Sequence, residues 1–307
     1  MAIIDRYELS RGTSYAVARG WGCNLFSWIV DGRELMSCPA GLPDSARKIT
    51  GGGAPILFPA VGRTWDLSSG EPVPGRYRVH GLDGTYTMPS HGIVFASEFA
   101  RVDVTESPDR ITATYQLRVP ENVRAENYPF DVGLTQRFVF TPTSVELTAA
   151  MTNHGDTAAP VAFGYHPYFG VSSPERVGVE ARLPITRSLL LTKDTVQLTG
   201  ESEPADGVMA LEAGRYYDNV FGGITGRRMQ LIDRLAGHTI NVDFDESVEL
   251  LVVYAPDGAD FMCLEPWTRG LGGFGSLREP GWEKGESVPV LQPGEIRTFT
   301  SRFSVGQ

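Results

Sequence analysis

The chain has 307 residues, with 27 Lys and Arg against 37 Asp and Glu, a formal charge of −10, and 41% hydrophobic residues. Without a Lys/Arg block it lacks the clustered positive charge that grips phosphate backbones or anionic lipid, so neither nucleic acid nor membrane is expected as a partner. No apolar run approaches the ~18 to 20 residues of a spanning helix, and charge at Asp5 and Arg6 precedes any signal-peptide core, so a cytoplasmic protein is expected.

Gly (35) and Pro (21) are scattered as punctuation instead of clumped into a linker, which implies many short elements. Three widely spaced cysteines, Cys23, Cys38 and Cys263, give neither a disulfide framework nor a zinc ribbon and read as small buried hydrophobes. Asp31-Gly32, Asp83-Gly84 and Asp257-Gly258 supply residues tolerant of positive φ, the chemistry of tight hairpin turns. Thr64 to Gly75, rich in Ser, Gly and Pro, reads as one long loop carrying Trp65 and able to frame a site. Ile111, Ala113, Tyr115, Leu117 and Val119 alternate with polar residues, as do Val145, Leu147, Ala149 and Met151, and later Phe299, Phe303 and Val305. That period of two makes half-buried strands. Arg227 to Ala236 carries the one plausible helical pattern, of one or two turns. Val248 to Tyr254 is nearly continuous and β-branched, as a strand covered on both faces would be. The pattern predicts an all-β, antiparallel β-sandwich forming a single domain over residues 1–307.

Few residues can carry chemistry. None of the five histidines sits in a metal-ligand spacing such as His-x-His or His-Glu-x-x-His, so no metal site is expected. His166, in Phe163-Gly164-Tyr165-His166-Pro167-Tyr168-Phe169, is either a satisfied core histidine or a proton carrier among aromatics. His91 lies between Pro89 and Gly92, which shape its backbone. Glu265 stands in the hydrophobic run Phe261 to Trp267, where an unpaired charge would cost several kcal/mol or more; it needs a salt-bridge partner or a cleft. Both His166 and Glu265 precede proline, which holds them extended. A carboxylate base and an imidazole acid could exchange protons with opposite ends of one substrate. Trp65, Trp267, Tyr165, Tyr168 and Phe169 suit either core packing or the apolar walls of a sugar site. Asp218 and Arg63 can grip hydroxyls, or serve as a turn acid and a surface arginine.

Together these segments resemble the aldose 1-epimerase (galactose mutarotase-like) family. The matching stretches are Gly53 to Pro59 running on to Gly62-Arg63, Leu82 to Tyr86 with Pro89-Ser90-His91-Gly92, Gly164 to Phe169, Asp218 to Phe221, and Leu264-Glu265-Pro266-Trp267-Thr268. The resemblance implies a large β-sandwich whose open face holds a sugar, catalysis without metal or organic cofactor, and a monomer or homodimer. It casts Glu265 as general base toward the anomeric hydroxyl, His166 as general acid toward the ring oxygen, His91 as a hydrogen-bonding partner near that oxygen, and Arg63 and Asp218 as hydroxyl-positioning groups. The spacing around His91 is similar to the hexose-6-phosphate branch, but Phe95 stands where that branch carries an arginine. A mutarotase acting on a neutral aldose is therefore expected, with a hexose 6-phosphate mutarotase or a non-catalytic sugar-binding module as the alternatives.

Overall fold

The computed structural model describes residues 3–10, 12–38, 51–68, 71–173 and 175–306. Its secondary structure is almost entirely strand, and the larger sheets are antiparallel throughout. A nine-stranded sheet runs, in spatial order, through Ala100–Ser107, Arg110–Arg118, Val132–Thr141, Ser144–Asn153, Ile296–Gly306, His238–Phe244, Arg228–Asp233, Val179–Arg182 and Val208–Ala210. An eight-stranded sheet runs through Leu198–Pro204, Arg187–Leu191, Tyr217–Gly222, Leu250–Ala255, Phe261–Trp267, Gly164–Tyr165 and Ile56–Leu57, with Tyr168–Gly170 also pairing Phe261–Trp267. A smaller sheet is built from Ile4–Leu9, Thr13–Ala18, Asn24–Val30 and Arg33–Glu34.

The alternation read from the sequence decides which faces meet. Ile111, Ala113 and Tyr115, and all of Val145, Leu147, Ala149 and Met151, are buried on the inner face of the larger sheet. Phe299 and Phe303, from the strand lying in its middle, pack on Phe163, Tyr165 and Phe169 of the opposing segment. Tyr165, fully buried, donates its hydroxyl hydrogen to the Gln136 side-chain oxygen across the interface at 2.8 Å. The sandwich is thus closed by an aromatic layer with its polar atoms paired, as burial requires.

All three Asp-Gly pairs lie between antiparallel strands, and Asp31 (φ 50°) with Gly32 (φ 77°) makes the two-residue, left-handed turn that joins Val30 to Arg33. Leu250–Ala255 is buried at every position except half-buried Tyr254, in keeping with its continuous apolar run. No helix among the described residues is long and apolar enough to cross a membrane. All three cysteines are free thiols; Cys23 and Cys263 are buried and Cys38 is half-buried.

Two expectations fail. Arg227 to Ala236 is not helical: Arg228–Asp233 is a strand pairing His238–Phe244, and Arg234 to Gly237 form the turn between them. Met229, Leu231 and Asp233 all point inward with period two, so burial overrides a weak helical pattern. The described α-helix lies instead at Glu121–Glu126, capped by Pro120, where an isolated single-turn segment gives no periodic signal. Thr64 to Gly75 is not one open loop either, because Trp65–Asp66 and Val73–Pro74 pair as a short hairpin; residues 69–70 at its centre lie outside the described residues.

Candidate active site

Strand register assembles the site. Gly164 pairs with Trp267 and Tyr168 with Cys263 in one antiparallel alignment, which sets His166 opposite Glu265. Glu265 pairs in turn with Val252 and Val252 with Val220, while Cys263 pairs with Tyr254 and Tyr254 with Asp218. Opposed residues share a face of the sheet. Two adjacent rows, His166-Glu265-Val252-Val220 and Tyr168-Cys263-Tyr254-Asp218, therefore form one floor on the side away from the aromatic core.

A cavity of about 440 Å³ stands over this floor. Its walls include Arg63, His91, Phe95, Tyr168, Tyr216 and Trp267, and Glu265 and His166 open onto it. Gly164 has a specific use here: a Cβ on it would fall 2.4 Å from Trp267 Cδ1, so only glycine lets the indole lie against the sheet. His91 is held from the opposite side by a turn at positive φ (66°), followed by Gly92 (φ 90°), whose Cβ position would strike the Phe58 carbonyl at 2.0 Å. The His91 N–H donates to the Gly62 carbonyl (2.8 Å), and the Gly62 N–H donates back to His91 Nδ1 (3.3 Å). With Nδ1 accepting, the neutral ring carries its proton on Nε2.

Electrostatics sets the protonation of these groups. Burial, reinforced by the Arg63 charge, pushes His91 down to about 4, so it is neutral at physiological pH. Burial and neighbouring His91 depress His166 well below the usual imidazole value. Burial and the Asp218 charge raise Glu265 well above the usual carboxyl value. His166 Nε2 lies 3.3 Å from Glu265 Oε1, and the imidazole stacks on Tyr168 at 4.7 Å between ring centres. Neither Glu265 oxygen, nor His166 Nδ1, has a well-directed hydrogen bond among the described residues. Asp218 stands at the mouth, accepts from the Tyr216 hydroxyl (3.3 Å), and is raised by partial burial against the opposing pull of that bond and of Arg63.

All seven residues singled out from sequence as site candidates, Glu265, His166, His91, Arg63, Asp218, Trp267 and Tyr168, line this one cavity. Three other aromatic candidates do not: Tyr165 and Phe169 belong to the core between the sheets, and Trp65 lies in the hairpin outside the lining. Sequence reasoning missed Tyr254 and Tyr216, whose position follows only from pairing with Cys263 and from adjacency to Asp218. Among the described residues one group could hold a metal ion: His166, Cys263 and Glu265 present ligand atoms within 4.8 Å of one another.

Comparison with known proteins bears on the fold and the family. The structure matches the Slr1438 protein of Synechocystis sp. PCC 6803 with a TM-score of 0.82 at 23% identity, covering 100% of this chain and 96% of that one. A galactose mutarotase-like protein from Clostridium acetobutylicum matches with a TM-score of 0.78 at 16% identity, covering 100% and 99%. Another from Lactobacillus casei ATCC 334 gives 0.76 at 19% identity, covering 99% and 100%. At such identities the likeness establishes the fold. No curated protein sequence matches the chain. The family pattern described as aldose 1-epimerase matches residues 5–304, nearly the whole length, and the chain belongs to the aldose 1-epimerase family.

Proposed function

We propose that the protein is a cofactor-independent mutarotase that interconverts the α and β anomers of a neutral aldose. The observation that carries this reading is the buried pair Glu265 and His166, 3.3 Å apart and both open to the cavity. The cavity volume falls within the range of about 300–1,000 Å³ usual for small-molecule sites, and its walls offer aromatic faces with a few polar groups at the edge.

The pair is best described as sharing one proton. In the form that starts the reaction Glu265 is a carboxylate and His166 an imidazolium. Glu265 takes the proton of the anomeric hydroxyl, the O–H electron pair becomes the carbonyl bond at C1, and the C1–ring oxygen bond breaks with its electrons leaving on the ring oxygen. His166 protonates that oxygen. The enzyme now holds a neutral carboxyl and a neutral imidazole, which burial favours, so the shifts of both groups assist opening. Rotation about C1–C2 and reclosure with the roles reversed return the sugar as its other anomer. His91, proton on Nε2, donates toward the ring oxygen; Arg63 and Asp218 position hydroxyls; Tyr168 and Trp267 support the ring faces.

A neutral sugar is favoured over a phosphorylated one by charge. Arg63 is the one Lys or Arg side chain lining the cavity among the described residues, and its charge acts on Asp218, which also lines it. Arg78 lies 3.9 Å from Asp66 and, like Arg76, outside the lining. With the proton-sharing pair neutral overall and Arg63 offset by Asp218, a phosphate dianion would meet no net positive charge. Polarimetric rates for glucose, galactose, other aldoses and glucose 6-phosphate, corrected for buffer catalysis, test this directly. Acceleration of a neutral aldose above that of glucose 6-phosphate is expected. The reverse order would make the protein a sugar-phosphate enzyme, and binding without acceleration would make it a recognition module.

A further inference from the structure

The proton pair has a buried neighbour that the anomerisation chemistry does not use. Cys263 lies two residues before Glu265 on the same strand, so its thiol points to the same face of the sheet. Its Sγ, an imidazole nitrogen of His166 and a carboxylate oxygen of Glu265 lie within 4.8 Å of one another. Cys263 and Glu265 are both 0% exposed, and the Glu265 oxygens lack a well-directed donor among the described residues. Buried acceptors in that condition are costly, and the site gains from any centre that satisfies them.

We propose that His166, Cys263 and Glu265 form an inhibitory site for a thiophilic divalent cation such as Zn²⁺ or Cd²⁺, which excludes sugar chemistry while bound. The donor set is the one borderline-soft cations select: one sulfur, one imidazole nitrogen and one carboxylate oxygen. Mg²⁺ and Ca²⁺, which require six or more mostly oxygen ligands, are poorly matched. Zinc bonds of about 2.0–2.3 Å place tetrahedral ligands roughly 3.3–3.8 Å apart. The His166–Glu265 separation of 3.3 Å already meets that spacing, and the thiol reaches it by a small side-chain movement. Binding displaces the thiol proton and the proton shared by the carboxyl and the imidazole, both of which pass to solvent, leaving thiolate, carboxylate and neutral imidazole as ligands; no electrons are transferred. A thiolate and a carboxylate together neutralise a divalent charge, so the three-ligand centre carries no net charge when filled. His166 and Glu265 both line the cavity, so a cation held by them occupies the groups the sugar would otherwise engage. The inhibition rests on Glu265 and His166 being the acid–base pair, whereas metal capture does not.

The test separates the two. Chelator-treated protein is titrated with Cd²⁺ while thiolate-to-cadmium absorption is followed, in wild type, Cys38→Ala, Cys263→Ala and the near-isosteric Cys263→Val. One equivalent should generate the band in wild type and Cys38→Ala and none in either folded Cys263 variant. Zn²⁺ inhibition of anomer exchange, expressed relative to each variant's own zinc-free rate, should weaken by at least about tenfold without the thiol ligand. Excess sugar should raise the apparent Kd for Zn²⁺, and Mg²⁺ should have no effect. A band that persists without Cys263, no band at all, or equal zinc sensitivity in wild type and variants would overturn the site. If no sugar is turned over, the cadmium titration still decides it.

Discussion

At the scale of single residues, the proposed chemistry depends on groups whose environments move them away from ordinary behaviour. Burial raises Glu265 and lowers His166, so the singly protonated pair exists between a low and a high apparent pKa that belong to both groups together. On the acid side a second proton quenches the base, and this occurs below the usual imidazole value of ~6.5 because His166 is depressed. On the alkaline side the shared proton is lost, well above the usual carboxyl range. The rate at low sugar concentration, measured against pH, should therefore be bell-shaped with its acid midpoint below ~6.5; an acid limb centred above that value would contradict the assignment. Gly164 makes a second case. In Gly164→Ala the added methyl meets the Trp267 indole at 2.4 Å, so the ring must move off the sheet. Overpacking of this kind costs about 1–3 kcal/mol, and a raised KM together with a lowered melting temperature is expected. Unchanged values of both would show that Trp267 has room the geometry denies it.

At the scale of elements, pairing decides what the residues can become. The turn closing the hairpin Arg228–Asp233 to His238–Phe244 is organised by Asp233, whose carboxylate accepts from the Ser172 N–H (2.7 Å), the Ser172 hydroxyl (2.7 Å) and the Ala236 N–H (2.9 Å). Burial alone would raise this acid, but the three donors outweigh it and hold its pKa below the ordinary value. A folded-state pKa below the unfolded one contributes stability that is present above ~3.9 and disappears as pH falls through the folded value. Asp233→Asn should cost about 1–3 kcal/mol at neutral pH, and the gap from wild type should close on acidification below pH ~4. A gap independent of pH would mean packing, not ionisation, holds the turn. The same hairpin shows why sequence reading failed there: Asp233 is an inward-facing polar residue, so apolar spacing alone hides its strand period. Strands with Ile111 or Val145 on their inner faces were legible because their inward positions run apolar, and in the last strand Phe299 and Phe303 carry the period past the single buried Ser301.

At the scale of the whole molecule, the site is a product of strand order. Segments at 56–57, 164–170, 217–222 and the hairpin of 250–255 with 261–267 come from separate parts of the chain and lie together in one sheet. The seven site candidates could be picked out as residues from their company, such as a carboxylate in an apolar run or a histidine among aromatics before proline. Which of them touch could not, because register across five strands is not written in any one of them. The aromatic layer made the same distinction illegible for Tyr165 and Phe169: they flank His166 in sequence as Tyr168 does, yet strand alternation turns them to the core and Tyr168 to the cavity. The sandwich thus spends one face of this sheet on the core and leaves the other for the cavity, with Glu265 and His166, the proposed acid–base pair, at its floor.

The decisive measurement is magnetisation exchange between the α and β anomeric protons of the preferred sugar, in identical buffer and pH, with wild type, Glu265→Gln and His166→Asn. Wild type should accelerate exchange above the buffer rate, and each substitution should reduce that acceleration by about 10² to 10⁴, the usual contribution of a positioned acid or base. Near-wild-type exchange in folded Glu265→Gln would contradict the central claim.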